Sequence, residues 1–132
     1  METAVTTDRE KRLLILVVED VEETRHGIEQ LLTVSGYHVT TARDEEQAVE
    51  EAICRPPDLI LLSFTADIVD IVSIAVRMRA RSRLSERVPV VIFCVRSLQE
   101  GDVVEAGRNV YLTRPDNFDQ LRASLRLLLS GG

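Results

Sequence analysis

The sequence lacks the features of a secreted or membrane-spanning protein. Its two cysteines, Cys54 and Cys94, lie far apart in apolar stretches, so they do not indicate a disulfide framework. No uninterrupted apolar run approaches the roughly 20 residues that cross a bilayer. Residues 1–12 are polar and of mixed charge, without the apolar block of a signal peptide. We therefore expect a cytoplasmic protein with reduced thiols.

An excess of positive charge is also missing. The chain has 16 basic and 22 acidic residues and a net charge of -6, which repels phosphate backbones and anionic lipid. We expect neither nucleic acid nor a membrane as a direct partner. Five arginines alternate with apolar or small residues near the end of a helical pattern, and we interpret them as a solvated helix end. They are Arg77, Arg79, Arg81, Arg83 and Arg87.

The length of the chain and its pattern of apolar residues predict one folded α/β domain. With 132 residues, of which 45% are hydrophobic, the chain can bury a single core. Short apolar runs alternate with segments of helical period, which is typical of a parallel sheet with helices on both faces. The predicted strands cover residues 13–18, 37–42, 58–62, 89–94 and 110–112. The predicted helices lie after each strand, with the fourth over 97–106 and the last beginning near Asp116 or Asn117.

Polar residues follow these strands at their carboxyl ends, where function gathers in such sheets. They are Glu19, Asp20, Ser63, Cys94 and Arg114. Two adjacent carboxylates are suitable ligands for a hard cation such as Mg²⁺. The acidic stretch continues through Glu22 and Glu23 into a helix start, so a solvated acidic turn explains the pair equally well.

Several segments together resemble the receiver family of two-component response regulators. Leu-Val-Val-Glu-Asp at 16–20 matches its acidic-pair motif, and residues 57–62 and 111–115 match later segments in the same order. The resemblance covers about 13–129 and implies the strand order 2-1-3-4-5. It divides the chain into a polar N-terminal extension, 1–12, and a receiver-like domain, 13–130. Family members accept a phosphoryl group from a kinase phosphohistidine onto an aspartate, using Mg²⁺.

The chain departs from this family pattern at the phosphorylation site. Ser63 stands at the position of the acceptor aspartate, Cys94 at that of the switch hydroxyl, and Arg114 at that of the lysine. Tyr111 stands at the switch aromatic and is either that switch or a fixed surface residue. A serine hydroxyl needs a neighbouring base to become a nucleophile, and no base is evident in the sequence. Loss of the third carboxylate leaves Glu19 and Asp20 to bind Mg²⁺ weakly at most.

We therefore predict a pseudo-receiver, not an enzyme, that acts through protein contacts in two-component signalling. Its expected partner is a histidine kinase or a downstream protein, and a homodimer through the last strand and last two helices is plausible. An alternative is a phosphoaccepting receiver that uses Mg²⁺ with Asp67 or Ser63 as an unconventional acceptor. A flavodoxin-like cofactor binder is a third reading, although the acidic turn after the first strand would repel phosphate. The chain is expected to be either a stand-alone module or an excised one.

Overall fold

The computed structural model describes residues 12–63, 68–93, 98–99, 101–115 and 117–130. The N-terminal extension therefore lies almost wholly outside the described residues. No helix in the described part of the chain is long and apolar enough to cross a membrane. The elements, in chain order, are β1 (Leu14–Glu19), α1 (Glu22–Val34), β2 (His38–Ala42), α2 (Glu45–Cys54), β3 (Leu59–Ser63), α3 (Ile68–Arg81), β4 (Val90–Phe93), β5 (Val103–Gly107), β6 (Val110–Thr113) and α4 (Phe118–Ser130).

These strands form one sheet in the order β2-β1-β3-β4-β6-β5. The first five strands of that order are parallel, as predicted. β1 and β3 lie inside the sheet as continuous apolar runs because both of their faces are covered. Residues of α2 and α3 pack on one face of the sheet, and residues of α1 and α4 pack on the other. The doubly wound architecture is thus confirmed.

The prediction of five strands, with a helix over 97–106, is wrong. Residues Val103–Gly107 form an additional strand, β5, which pairs antiparallel with β6 at the edge of the sheet. The turn between them places Arg108 and Asn109 at φ 55° and 62°, the conformation of two-residue hairpin turns. Gly101 (φ 91°) precedes the strand in a conformation that no α-helix contains. The predicted homodimer face is changed as well, since one of its two helices is replaced by this strand.

The helix ends follow their sequence signals. α1 ends before Gly36 (φ 103°), and the amide of Tyr37 donates to the carbonyl of Leu32, which closes the last turn. α2 begins after Asp44, whose carboxylate accepts from the amide of Gln47 at 2.9 Å. α4 begins after Asn117, one of its two predicted caps, which accepts from the amide of Gln120 at 2.9 Å. These caps fix the residue at which α1 ends and the residues at which α2 and α4 begin.

The arginines of α3 are not a uniform solvated helix end. Arg77 and Arg81 are exposed and form ion pairs with Glu45 of α2, at 2.6 and 2.9 Å. These contacts hold the pKa of Glu45 at about 2, chiefly through its hydrogen bond with Arg77. The two ion pairs tie α3 to α2 on the same face of the sheet.

Arg79 contradicts the predicted solvated helix end, because its side chain is only 2% exposed. Its guanidinium donates to the carbonyl of Val88 at 3.0 Å and to the carbonyls of Arg108 and Asn109 in the hairpin turn. Burial lowers the pKa of Arg79. The three carbonyls come from two loops that end at the amino ends of β4 and β6, so Arg79 joins α3 to both.

We expect Arg79→Met to destabilise the domain by about 3 kcal/mol, because it removes the charged donor to the carbonyls of Val88 and Arg108 in a part-buried site while keeping most of the side-chain volume. Denaturant unfolding followed by circular dichroism measures this change. The matched control is Arg126→Met, at an exposed position of α4, where we expect a change within about 0.5 kcal/mol. Equal effects of the two substitutions would contradict the role assigned to Arg79.

Candidate functional site

The register of the two central strands builds the site. β1 and β3 pair in parallel from Ile15 with Leu59 to Glu19 with Ser63, so these last two residues lie side by side at the carboxyl edge of the sheet. Glu19 is only 4% exposed. Its carboxylate accepts a hydrogen bond from the backbone amide of Val21 at 3.0 Å, and the Ser63 hydroxyl lies close enough to lower its pKa. A hydroxyl thus faces a buried carboxylate at the carboxyl edge of the sheet.

Glu19 also holds the loop that follows β1. The carbonyl oxygen of Glu19 accepts from the guanidinium of Arg25 at 2.8 Å, which fixes β1 relative to the first turn of α1. Asp20 follows with an exposed side chain. Two carboxylates are therefore adjacent, one buried and one exposed to solvent.

Burial raises the pKa of Glu19 above its ordinary value. The neighbouring Asp20 carboxylate acts in the same direction, since two negative charges repel each other. The hydrogen bond from the Val21 amide and the nearby Ser63 hydroxyl oppose the rise because they favour the ionised form. The site therefore carries crowded negative charge that its own donors compensate only in part.

The remaining predicted residues are only partly brought together. Arg114 follows β6, and its guanidinium donates to the carbonyl of Leu98 at 3.0 Å. Within the described ranges, no ion pair joins Arg114 to Glu19 or Asp20. Tyr111 is half-buried in β6, where it pairs with Val91 of β4 and Glu105 of β5. Cys94 and Asp67 lie outside the described residues, so their predicted roles remain predictions.

The residues at this edge fit a magnesium ion incompletely. Mg²⁺ prefers octahedral oxygen ligands, usually carboxylates with waters. Glu19 and Asp20 could offer carboxylate oxygens and Ser63 a neutral hydroxyl. The described part of the chain contains no cluster of three or more acidic, histidine or cysteine side chains suited to a metal ion. A cation bound here would be held by two carboxylates, and one of them already accepts a hydrogen bond from the backbone amide of Val21.

Sequence reasoning missed the partner of Ser63. It found no base near the serine, whereas the structure places the Glu19 carboxylate beside it, close enough for the Ser63 hydroxyl to lower the pKa of Glu19. The sequence did contain a signal for this proximity, because Glu19 is the last residue of β1 and Ser63 is the last residue of the adjacent β3. Whether their side chains meet depends on a register that two apolar runs do not fix to one residue.

A doubly wound parallel sheet with an acidic pair after its first strand is the architecture of phosphorelay receivers. The family model of the response regulator receiver domain matches residues 15–126. The chain therefore belongs to the response regulator receiver family.

Relatives of this chain are bacterial transcriptional regulators. It is 34% identical to the transcriptional regulatory protein PrrA of Mycobacterium bovis over 131 residues, covering 98% of this chain and 53% of that protein. It is 31% identical to KdpE of Staphylococcus aureus over 117 residues, covering 86% of this chain and 48% of that protein. The chain thus spans about half the length of these curated relatives.

Solved receiver structures share the fold. The receiver domain of the sensor histidine kinase PA1611 from Pseudomonas aeruginosa, which has a magnesium ion in its active-site cleft, is 30% identical. It superposes with a TM-score of 0.67 over 90% of this chain and 98% of that one. The receiver domain of the hybrid histidine kinase CckA, at 23% identity and a TM-score of 0.65, shows the same fold.

We expect Glu19→Gln to raise the melting temperature at pH 7, measured with a chelator present to exclude metal. The raised pKa means that this carboxyl contributes its full stability below the ordinary value of 4.5 and loses it as the pH rises through the folded-state pKa. The advantage of the uncharged glutamine should therefore grow with pH above 4.5.

Thermal melts across this pH range measure the difference between variant and wild type. Glu23→Gln is the matched control, because Glu23 is exposed in the first turn of α1. Its effect should be small and of opposite sign, since an acid near a helix N-terminus is stabilising. A Glu19→Gln variant that is less stable than the wild type at pH 7 would contradict the account.

Proposed function

We propose that this chain is a pseudo-receiver: a receiver domain that does not accept an aspartyl phosphate and signals through protein contacts. The observation that carries the proposal is the contact between Ser63 and Glu19. A neutral hydroxyl lies beside the buried carboxylate, at the position where the family has its ionised acceptor. An alcohol is a far weaker nucleophile than a carboxylate at neutral pH.

The other side of the site supports the same proposal. Arg114 stands at the lysine position, and its planar guanidinium is already engaged with the carbonyl of Leu98. Cys94, at the hydroxyl position, is a weak hydrogen-bond donor toward phosphate. With a serine as third ligand, we propose that Mg²⁺ binds weakly at most, unlike the magnesium site of the PA1611 receiver domain. The chain would then have no enzymatic activity of its own.

The proposed partners are proteins of a two-component system, either a histidine kinase or a downstream signalling protein, in the cytoplasm. Homodimerisation, if it occurs, would use β6, α4 and the β5 strand that stands where a helix was expected. The net charge of -6 argues against direct binding of nucleic acid or an anionic membrane. No observation favours the flavodoxin-like cofactor binder.

The Ser63 contact also supports a second candidate, a receiver phosphorylated on serine. Glu19 is a carboxylate of raised pKa beside the hydroxyl, and a general base must stand close to its nucleophile in this way. Attack of the Ser63 oxygen on a phosphoryl donor would form an O–P bond, break the donor's bond to phosphorus and pass the hydroxyl proton to Glu19. Asp67 remains the other possible acceptor.

Incubation with acetyl phosphate and Mg²⁺, followed by intact-mass measurement, separates the two candidates. The pseudo-receiver proposal predicts no added phosphate on the wild-type chain, while Ser63→Asp, which restores the family acceptor, provides the positive control. An added phosphate on the wild type would contradict the proposal. Its loss in Ser63→Ala but not in Asp67→Ala would then assign it to Ser63, and the reverse pattern would assign it to Asp67.

A further inference from the structure

β5 lies at the end of the sheet, and its outer edge pairs with no strand in the described part of the chain. All five of its residues are exposed, including Val103 at 49% and Val104 at 43%. The edge of such a strand presents backbone amides and carbonyls with which another strand can pair. β5 therefore offers both hydrogen-bonding groups and apolar side chains to a partner strand.

The hydrogen bonding between β5 and β6 determines which backbone groups of β5 point outward. The amide of Arg114 donates to the carbonyl of Asp102 at 3.2 Å, so Asp102 turns its carbonyl toward β6. In an antiparallel pair this direction alternates from one residue to the next. Val104 therefore turns its amide and carbonyl toward β6 as well, and those of Val103 and Glu105 point away from the sheet. Both residues precede the irregularity in the pairing that follows Glu105.

A second copy of the chain can supply a matching strand. Antiparallel pairing about a two-fold axis at Val104 places Val103 of each copy opposite Glu105 of the other, so that outward-pointing groups meet and exchange backbone hydrogen bonds. The two Val104 side chains then meet at the axis, on the face of the sheet to which the buried Leu112 belongs. An axis at Glu105 would instead place two carboxylates directly opposite each other, which is destabilising.

The charges of the hairpin also favour a copy over a strongly charged partner strand. Between residues 101 and 114, Asp102 and Glu105 are balanced by Arg108 and Arg114. This balance gives neither a basic nor an acidic strand an electrostatic advantage at the edge. In the pairing about Val104, each Glu105 lies opposite an uncharged valine and each Val104 lies opposite an identical side chain. The edge is therefore complementary to itself.

We propose that β5 pairs with β5 of a second copy about an axis at Val104 and joins the two sheets into one. A single short strand pair buries less surface than a stable dimer usually does, so the association is weak and depends on concentration. The inference deepens the proposed function, in which the domain acts through protein contacts, because it names one such contact and the strand that makes it. Ser63 has no part in this contact.

Sedimentation velocity at concentrations up to about 1 mM tests the association. We expect the wild type to show a reversible equilibrium between monomer and dimer. Val104→Lys should weaken dimerisation by at least about fivefold, because it places two like charges together at the axis. Val34→Lys is the matched control, since it makes the same substitution at a side chain of α1 that is 87% exposed. This control should change dimerisation by less than about twofold.

Cysteine cross-linking tests the register of the pair. Val104→Cys should form a disulfide-linked dimer under mild oxidation, since residues that face each other in a non-hydrogen-bonded antiparallel pair have Cα atoms about 4.5 Å apart, which a disulfide spans. Val103→Cys is the matched control, because Val103 would lie opposite Glu105 and not opposite its own copy. Peptide mapping by mass spectrometry distinguishes the expected bridge from one through the exposed Cys54. This test keeps the proposal falsifiable if Val104→Lys does not fold.

Three outcomes would overturn the proposal. A wild type that remains monomeric at about 1 mM would leave the edge to a strand of another protein. Equal effects of Val104→Lys and Val34→Lys would remove β5 from the interface, and equal cross-linking of Val103→Cys and Val104→Cys would refute the register. These measurements are made without acetyl phosphate. A phosphorylated Ser63 would refute the pseudo-receiver and leave the dimer standing, so the two proposals fail separately.

Discussion

The register of β1 against β3 is the constraint on which the rest of the structure depends. Both strands are apolar and covered on both faces, so they pack only inside the sheet. Side chains alternate between the two faces with a period of two, so a slip by one residue would move every side chain of a strand to the opposite face of the sheet. The same register brings Glu19 beside Ser63 and so determines the chemistry of the carboxyl edge.

Much of the fold could be predicted because strong local signals agreed with it. Continuous apolar runs gave the parallel strands, while Gly36 and Asp44 gave helix boundaries. The prediction failed for the segment before β6, because its few apolar residues have no clear period. Its strand depends on a hairpin turn with left-handed residues, Arg108 among them. The burial of Arg79 could not be predicted either, since its carbonyl partners come from distant parts of the chain.

The sequence predicted where the site residues lie in the fold, but it did not predict which of their side chains contact each other. Strand ends in a parallel sheet locate Glu19, Asp20 and Ser63 at one edge, and the structure brings these three together. The proximity of Ser63 to Glu19 was missed because it depends on the register of β1 against β3. This proximity changes the interpretation of the serine, since its hydroxyl favours the ionised form of a buried carboxylate. Arg114 turns toward the carbonyl of Leu98, a partner that no motif indicates.

Calorimetric titration with Mg²⁺ tests the central claim most directly, namely that Ser63 leaves the carboxyl edge without the charge needed to hold a metal ion. The account predicts weak or undetectable binding to the wild type and to Ser63→Ala. Ser63→Asp, which restores a third carboxylate beside Glu19 and Asp20, should bind at least about tenfold more tightly, because cation affinity follows the number of charged ligands. Binding of Mg²⁺ to the wild type as tightly as to Ser63→Asp would contradict the account.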